Sequence, residues 1–178
     1  MVFGHDSFTR HRAKASEIWN KMRFFAFDSF CGLPDPRGVD RSSADFAEGQ
    51  YSVTLQDFVN NLKHGKVDLS KVAAIPGWFE DTCKPKTIEN HRIRSASIVH
   101  IDCDLYESAR VVLKFVEPLL LDGTILIFDD WYCFRGNPDL GEQRAFKEWA
   151  AGKPDWVFTQ YQKEGPARNS FIANHRIG

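Results

Sequence analysis

A doubly wound, mostly parallel α/β sheet is predicted by three observations on this sequence. Apolar runs of strand length stop at acids: Phe24-Phe25-Ala26-Phe27 at Asp28, Ser97-Ile98-Val99-His100-Ile101 at Asp102-Cys103-Asp104, and Ile125-Leu126-Ile127-Phe128 at Asp129-Asp130. The stretches between them carry apolar residues at helical spacing. The two kinds of segment alternate, which calls for right-handed crossovers and helices on both faces of parallel strands. In such a sheet ligands collect outside the carboxyl ends of the strands, so the acids meet at a site. Several carboxylates within a few ångström repel one another unless protons are shared or a cation sits between them, and a divalent metal site is therefore expected.

The elements follow in order. Residues 7–22 place Phe8, Ala15, Ile18, Trp19 and Met22 near one stripe, an amphipathic helix leading into the run that ends at Asp28. Residues 31–53 hold Pro34, Pro36, Gly38 and Gly49 without periodicity; a segment of this length is more often a functional lid than a connection, and Phe46 and Tyr51 are its candidate anchors. Leu55, Phe58, Val59 and Leu62 stand at helical spacing after the N-cap candidate Thr54, with Gly65 as the stop. Val72-Ala73-Ala74-Ile75 reads as a strand broken by Pro76, and Trp78, Phe79, Glu80 and Asp81 follow it. Residues 84–94 read as a polar connection. Ala109, Val112, Leu113, Val116 and Leu119 mark a helix over 106–121, and Gly123 precedes the next strand. After a loop at 132–141, residues 142–150 form a helix with Ala145, Phe146 and Trp149 inward. Residues 156–161 and 170–174 read as an antiparallel pair at the sheet edge, joined through Gly165-Pro166.

Composition narrows the function classes. At 178 residues, 43 % hydrophobic and 26 % charged, the chain reads as one globular domain over 1–178. Its 23 basic against 24 acidic residues leave no surplus to neutralise a phosphate backbone, so nucleic acid is not expected as a partner. Cys31, Cys83, Cys103 and Cys133 form no C-x-x-C pair, which argues against structural zinc and a disulfide framework and suits reduced thiols in a cytoplasmic protein. No apolar run approaches the ~20 residues that span a bilayer, and the start lacks a signal pattern, so neither membrane nor export is expected.

Four stretches together carry a family resemblance: Phe27-Asp28-Ser29-Phe30-x-Gly32-Leu33-Pro34, Gly77-x-Phe79-x-Asp81-Thr82, His100-Ile101-Asp102-Cys103-Asp104-Leu105-Tyr106-Glu107-Ser108 and Phe128-Asp129-Asp130. In this order they resemble the macrocin O-methyltransferase-like family, S-adenosylmethionine-dependent enzymes that methylate sugar hydroxyls on natural products. The resemblance implies the methyltransferase variant of the doubly wound sheet, ending in an antiparallel hairpin. It implies that Asp102, Asp129 and Asp130 ligate Mg²⁺, whose preference for hard oxygen donors agrees. Asp104 is the candidate base, with Asp102 or His100 as alternatives. For S-adenosylmethionine, Asp28 suits the ribose diol, Ser29 and Phe30 flank the nucleoside, Trp78 and Phe79 cover the adenine, and Gly4 and Ser7 belong to the end of a glycine-rich turn.

The chain departs from the family at its start, where only Met1-Val2-Phe3 precede Gly4 and the first strand is expected to be missing. A sheet without that central strand closes without it or borrows one from another chain, and a homo-oligomer is expected. Cys31 also stands where the family commonly has Glu. The acids have plainer readings too: Asp102 and Asp104 as helix caps, Asp129-Asp130 as a turn, Asp28 as a cap, Trp78 and Phe79 as core. Two rival functions remain beside an Mg²⁺-dependent O-methyltransferase acting on a small-molecule sugar hydroxyl. One is a degenerate methyltransferase-like domain without turnover; the other, more remote, is an Asp-x-Asp phosphohydrolase.

Overall fold

The computed structural model describes residues 14–42 and 46–177. Helix α1 runs through 14–21 and delivers the chain to β1 (Phe24–Asp28); the part of the expected helix before residue 14 lies outside the described residues. Then come α2 (Leu55–His64), β2 (Val72–Pro76), α3 (Phe79–Thr82), α4 (Pro85–His91), β3 (Ile98–Ile101), α5 (Tyr106–Val116), β4 (Thr124–Phe128), α6 (Gly141–Ala151), β5 (Trp156–Glu164) and β6 (Arg168–His175). Thr54 caps α2 by accepting the Asp57 N–H at 3.1 Å, and Gly65 ends that helix. Residues 84–94 are not a plain connection: Pro85 at the first helical position opens α4, and Arg92 in the left-handed region closes it. Short helices of this kind lack the apolar stripe that would have exposed them in the sequence.

The strands form two sheets. β1 and β2 pair in parallel, while β3 and β4 pair in parallel and continue through antiparallel β6 to β5 at the edge. The terminal hairpin is therefore present, with its second strand inserted next to β4. Phe27 of β1 and Val99 of β3 both pack on the Phe115, Val116 and Leu119 cluster. The two sheets thus meet over α5 without pairing among the described residues. Ile98 on β3 is 56 % exposed as a result.

Side-chain alternation assigns the faces. On β1, Phe27 meets Phe115 of α5 and Phe25 meets His91 of α4, while Phe24 meets Trp19 of α1. The first half-sheet is covered on both faces, as a doubly wound sheet requires. In the second, Ile101, Leu126 and Phe128 are buried with Ala109 and Leu113 of α5 and Ala145 and Phe146 of α6, but Ile98 and His100 on the opposite face are exposed. Among the described residues helices on both faces are found only over β1 and β2, because α4, α5 and α6 share one side. Phe128 anchors the main core, with the rings of Trp131, Phe146 and Phe171 at 5.0, 5.2 and 6.0 Å.

The segment at 31–53 is docked. Its neck is closed by Leu33 N–H to Gln50 O and Gly49 N–H to Leu33 O, both 2.9 Å. A Cβ on Gly32, at φ +88°, would stand 2.6 Å from two backbone carbonyls of that neck. Leu33 and Phe46 are buried against Leu105 and Phe134, whereas the second expected anchor, Tyr51, is exposed.

Candidate functional site

β3 and β4 end side by side because they are parallel neighbours in register, Ile101 opposite Phe128. The acids that follow are thereby set at one rim. One carboxylate oxygen each from Asp102, Asp104 and Asp130 lies within 4.8 Å of the others, the one such group of possible metal ligands among the described residues. Asp104 is held at φ +57° in a tight turn, with Leu105 N–H on Cys103 O at 2.5 Å. A non-glycine residue in this region is uncommon, and Asp is among the side chains that tolerate it.

Electrostatics of the cluster are those of like charges in partial burial. Burial raises the Asp104 carboxyl to about 7, helped by the charges of Asp130, Asp102 and Asp129. Asp102 is raised by burial and then by Asp129 and Asp130, and Asp130 by burial first. A hydrogen bond between Asp104 and Asp130 raises the former and lowers the latter, so the pair shares a proton held by Asp104. Cys133 donates its thiol to Asp130 Oδ1 at 3.1 Å. Three hard oxygen donors whose burial and mutual repulsion favour their protonated forms fit a divalent cation that would offset that charge.

Asp129 stands outside that group. Its Oδ1 accepts the Arg168 Nε–H from β6 and lies 3.2 Å from His100 Nε2. Of the three ligands named from the sequence, the structure brings Asp102 and Asp130 together with Asp104, and commits Asp129 to a guanidinium. His100 is exposed on the open face of β3.

The other rim is formed by β1 and β2. Gly77 N–H donates to Asp28 O at 2.9 Å, which brings Asp28 beside Trp78 and Phe79. One Asp28 oxygen accepts the Phe30 N–H at 2.5 Å, and Ser29 Oγ binds Gly32 O at 2.9 Å, shaping the turn. Asp28 is exposed, Trp78 is 39 % exposed, and Phe79 packs against the main core. Phe30, at φ +55°, places its ring 5.5 Å from Phe58. An open carboxylate flanked by aromatic rings fits a nucleoside with a ribose diol. Gly4 and Ser7 lie outside the described residues.

Three supporting residues escaped the sequence reading. Asp40, 0 % exposed, accepts the N–H groups of Tyr106 and Glu107 at 2.9 and 3.3 Å and so caps α5, whose own N-cap residue Leu105 offers no side-chain bond. Nothing in an aperiodic loop announces a partner 66 residues away. Arg168 lies just before the run at 170–174 that marked the last strand. Glu142, raised by burial and then by the charge of Asp130, shares a helical stripe with Ala145, Phe146 and Trp149. A lone acid on an otherwise apolar stripe was the signal available for it.

The fold is that of an O-methyltransferase. It aligns with the solved structure of the O-methyltransferase NovP at a TM-score of 0.67 and 20 % identity, covering 85 % of this chain and 60 % of that one. It aligns with CalS11, a calicheamicin methyltransferase, at 0.64 and 25 %, covering 84 % and 60 %. Residues 10–148 match the family described as Macrocin-O-methyltransferase (TylF), and the chain belongs to that family. Among curated relatives, an 8-demethyl-8-(2,3-dimethoxy-alpha-L-rhamnosyl)-tetracenomycin-C 4'-O-methyltransferase of Streptomyces olivaceus is 31 % identical over 115 residues, 61 % of this chain. A demethyldecarbamoylnovobiocin O-methyltransferase of Streptomyces niveus is 28 % identical over 110 residues, 58 % of this chain. The chain spans 42 % and 40 % of the lengths of these two relatives. No helix among the described residues is long and apolar enough to cross a membrane.

Proposed function

We propose that this chain carries the catalytic rim of an S-adenosylmethionine-dependent O-methyltransferase that uses Mg²⁺ and acts on a hydroxyl of a sugar or glycosylated small molecule. The convergence of Asp102, Asp104 and Asp130 at the ends of adjacent parallel strands carries this reading. Asp102 and Asp130 supply oxygen ligands, and Asp129 beside them is the third donor that the family resemblance assigns. A divalent cation bound there lowers the pKa of a coordinated hydroxyl and offsets the charge of the acids. With the cation bound, Asp104 would release its own proton to solvent and so be free to accept the one leaving the acceptor hydroxyl. S-adenosylmethionine, when bound, would supply the methyl group to the acceptor oxygen and leave as S-adenosylhomocysteine. Asp28, Ser29, Phe30, Trp78 and Phe79 hold the methyl donor's nucleoside, so that positioning supplies much of the rate. The four free cysteines suit the reducing cytoplasm.

A second reading, a methyltransferase-like domain without turnover, is favoured by one observation: among the described residues β1 and β3 each have an edge with no paired strand. Pairing of those edges with a strand from a second copy belongs to the enzyme reading, and sedimentation of the purified chain tests it; a monomer at all concentrations contradicts it. Calorimetry with S-adenosylhomocysteine, with and without Mg²⁺, separates the two functions. Binding strengthened by Mg²⁺ supports the enzyme, and absence of binding to either contradicts it.

A further inference from the structure

Glu142 is 1 % exposed, and its two oxygens are divided between the two acid-bearing strand ends. Oε1 accepts the Cys103 N–H at 3.4 Å, between Asp102 and Asp104, and Oε2 accepts the N–H of Asp130 at 3.0 Å. The backbone ladder between β3 and β4 runs out just before this point, its last bond being Asp129 N–H to Ile101 O at 2.9 Å. Past it, among the described residues, the Glu142 carboxylate joins the backbones of the two acid loops, beside the side-chain bond between Asp104 and Asp130.

The helix that carries Glu142 is pressed onto the same place. Gly141 at φ +53° opens α6, and a Cβ there would come within 2.5 Å of the Phe134 ring and 3.5 Å of Asp104 O. Glu142 therefore has little freedom to retreat. Two N–H groups facing one side chain require two acceptors: a carboxylate has them, whereas a carboxamide would turn an NH₂ toward one N–H. A carboxylate so close to three others is electrostatically costly, and core packing alone would favour an apolar residue at this point of the stripe.

We propose that Glu142 is a positioning residue that sets the separation of the β3 and β4 ends, and with it the spacing of Asp102 and Asp130 toward a divalent cation. This rests on the reading of the acid cluster as a cation site. Outer partners that orient metal ligands are worth about 10–100-fold in affinity. The proposal assigns that share to Glu142, although it touches neither cation nor substrate.

The test is Mn²⁺ titration, followed by electron paramagnetic resonance, of the wild-type chain and of Glu142→Gln, with Glu148→Gln on the exposed side of α6 as control. Amide exchange at Cys103 and Asp130 is measured by NMR on the same samples. The proposal expects Mn²⁺ affinity to fall about 10-fold or more in folded Glu142→Gln, with faster exchange at both amides and no change in the control. Wild-type affinity in Glu142→Gln, or unchanged exchange at both amides, overturns it. If Glu142→Gln does not fold, Glu142→Asp keeps the charge one methylene short and is read the same way, reduced affinity supporting and wild-type affinity overturning. A wild-type chain that takes no Mn²⁺ removes the cation reading itself, and the amide exchange then decides separately whether Glu142 ties the loops.

Discussion

At the ends of β3 and β4 Asp104, Asp129 and Asp130 are each braced by a neighbour, while Asp102 is exposed; at the end of β1 Asp28 stands in solvent. Asp130 is met by Cys133, Asp104 and Glu142, and Asp129 by Arg168 and His100. Asp28 is held through its own turn alone. The difference follows from packing. β4 is a central strand with Phe128 wholly buried, and the α5–α6 layer beneath it brings polar groups to the rim. Among the described residues β1 has a partner strand on one side, β2. The rim proposed for the cation thus stands on the more deeply packed half, and the rim proposed for the nucleoside on the two-stranded half.

The largest expected effect probes that contrast directly. Phe128→Ala should cost about 3–5 kcal/mol of stability in denaturant unfolding, whereas Phe24→Ala on β1, where the ring is 37 % exposed, should cost about 1 kcal/mol or less. Equal losses would mean that the halves are equally packed.

Acid strength gives the next effect. In the cation-free protein the Asp104 carboxyl stands at about 7, above its unfolded value, so its proton binds the folded state more tightly. The resulting stability is full below about pH 4 and lost as pH rises through about 7, on the order of 4 kcal/mol at most. Asp104→Asn should flatten that slope in thermal melts between pH 4 and 8, and a saturating divalent cation should oppose it by favouring the ionised acids. An unchanged slope in the variant would place the titration elsewhere.

Asp40→Ala should remove the remote cap of α5 and cost about 1–2 kcal/mol. It should also speed amide exchange across residues 31–42, sharpening the docked state of that segment. Smallest of all, amides of β1 should exchange faster than those of β4 under native conditions. Slower exchange in β1 would reverse the comparison.

Much of this arrangement is local and was therefore legible in the sequence. The acid-ended runs, the apolar stripe of α5, the Thr54 cap and the hairpin each depend on residues close in the chain. The bracing is not local: Asp40 reaches α5 across 66 residues, Arg168 reaches Asp129 across 39, and Glu142 reaches Cys103 across 39. No spacing rule encodes such pairs. Asp129 is the instructive case. The doublet Asp129-Asp130 reads as two equivalent ligands, and the partners that distinguish them are distant in sequence: Arg168 and His100 hold Asp129, while Asp130 groups with Asp102 and Asp104. The one-sided helix layer over β3 and β4 among the described residues was not legible, because a continuous apolar run such as Ile125-Leu126-Ile127-Phe128 implies burial on both faces.

The central claim, that the ends of β3 and β4 form a divalent cation site, is tested most directly by titrating Mg²⁺ into the wild-type chain and into Asp130→Ala by calorimetry. Saturable binding of one ion per chain, lost in Asp130→Ala, is the predicted result. No binding at millimolar Mg²⁺, or the same affinity in both proteins, would contradict it.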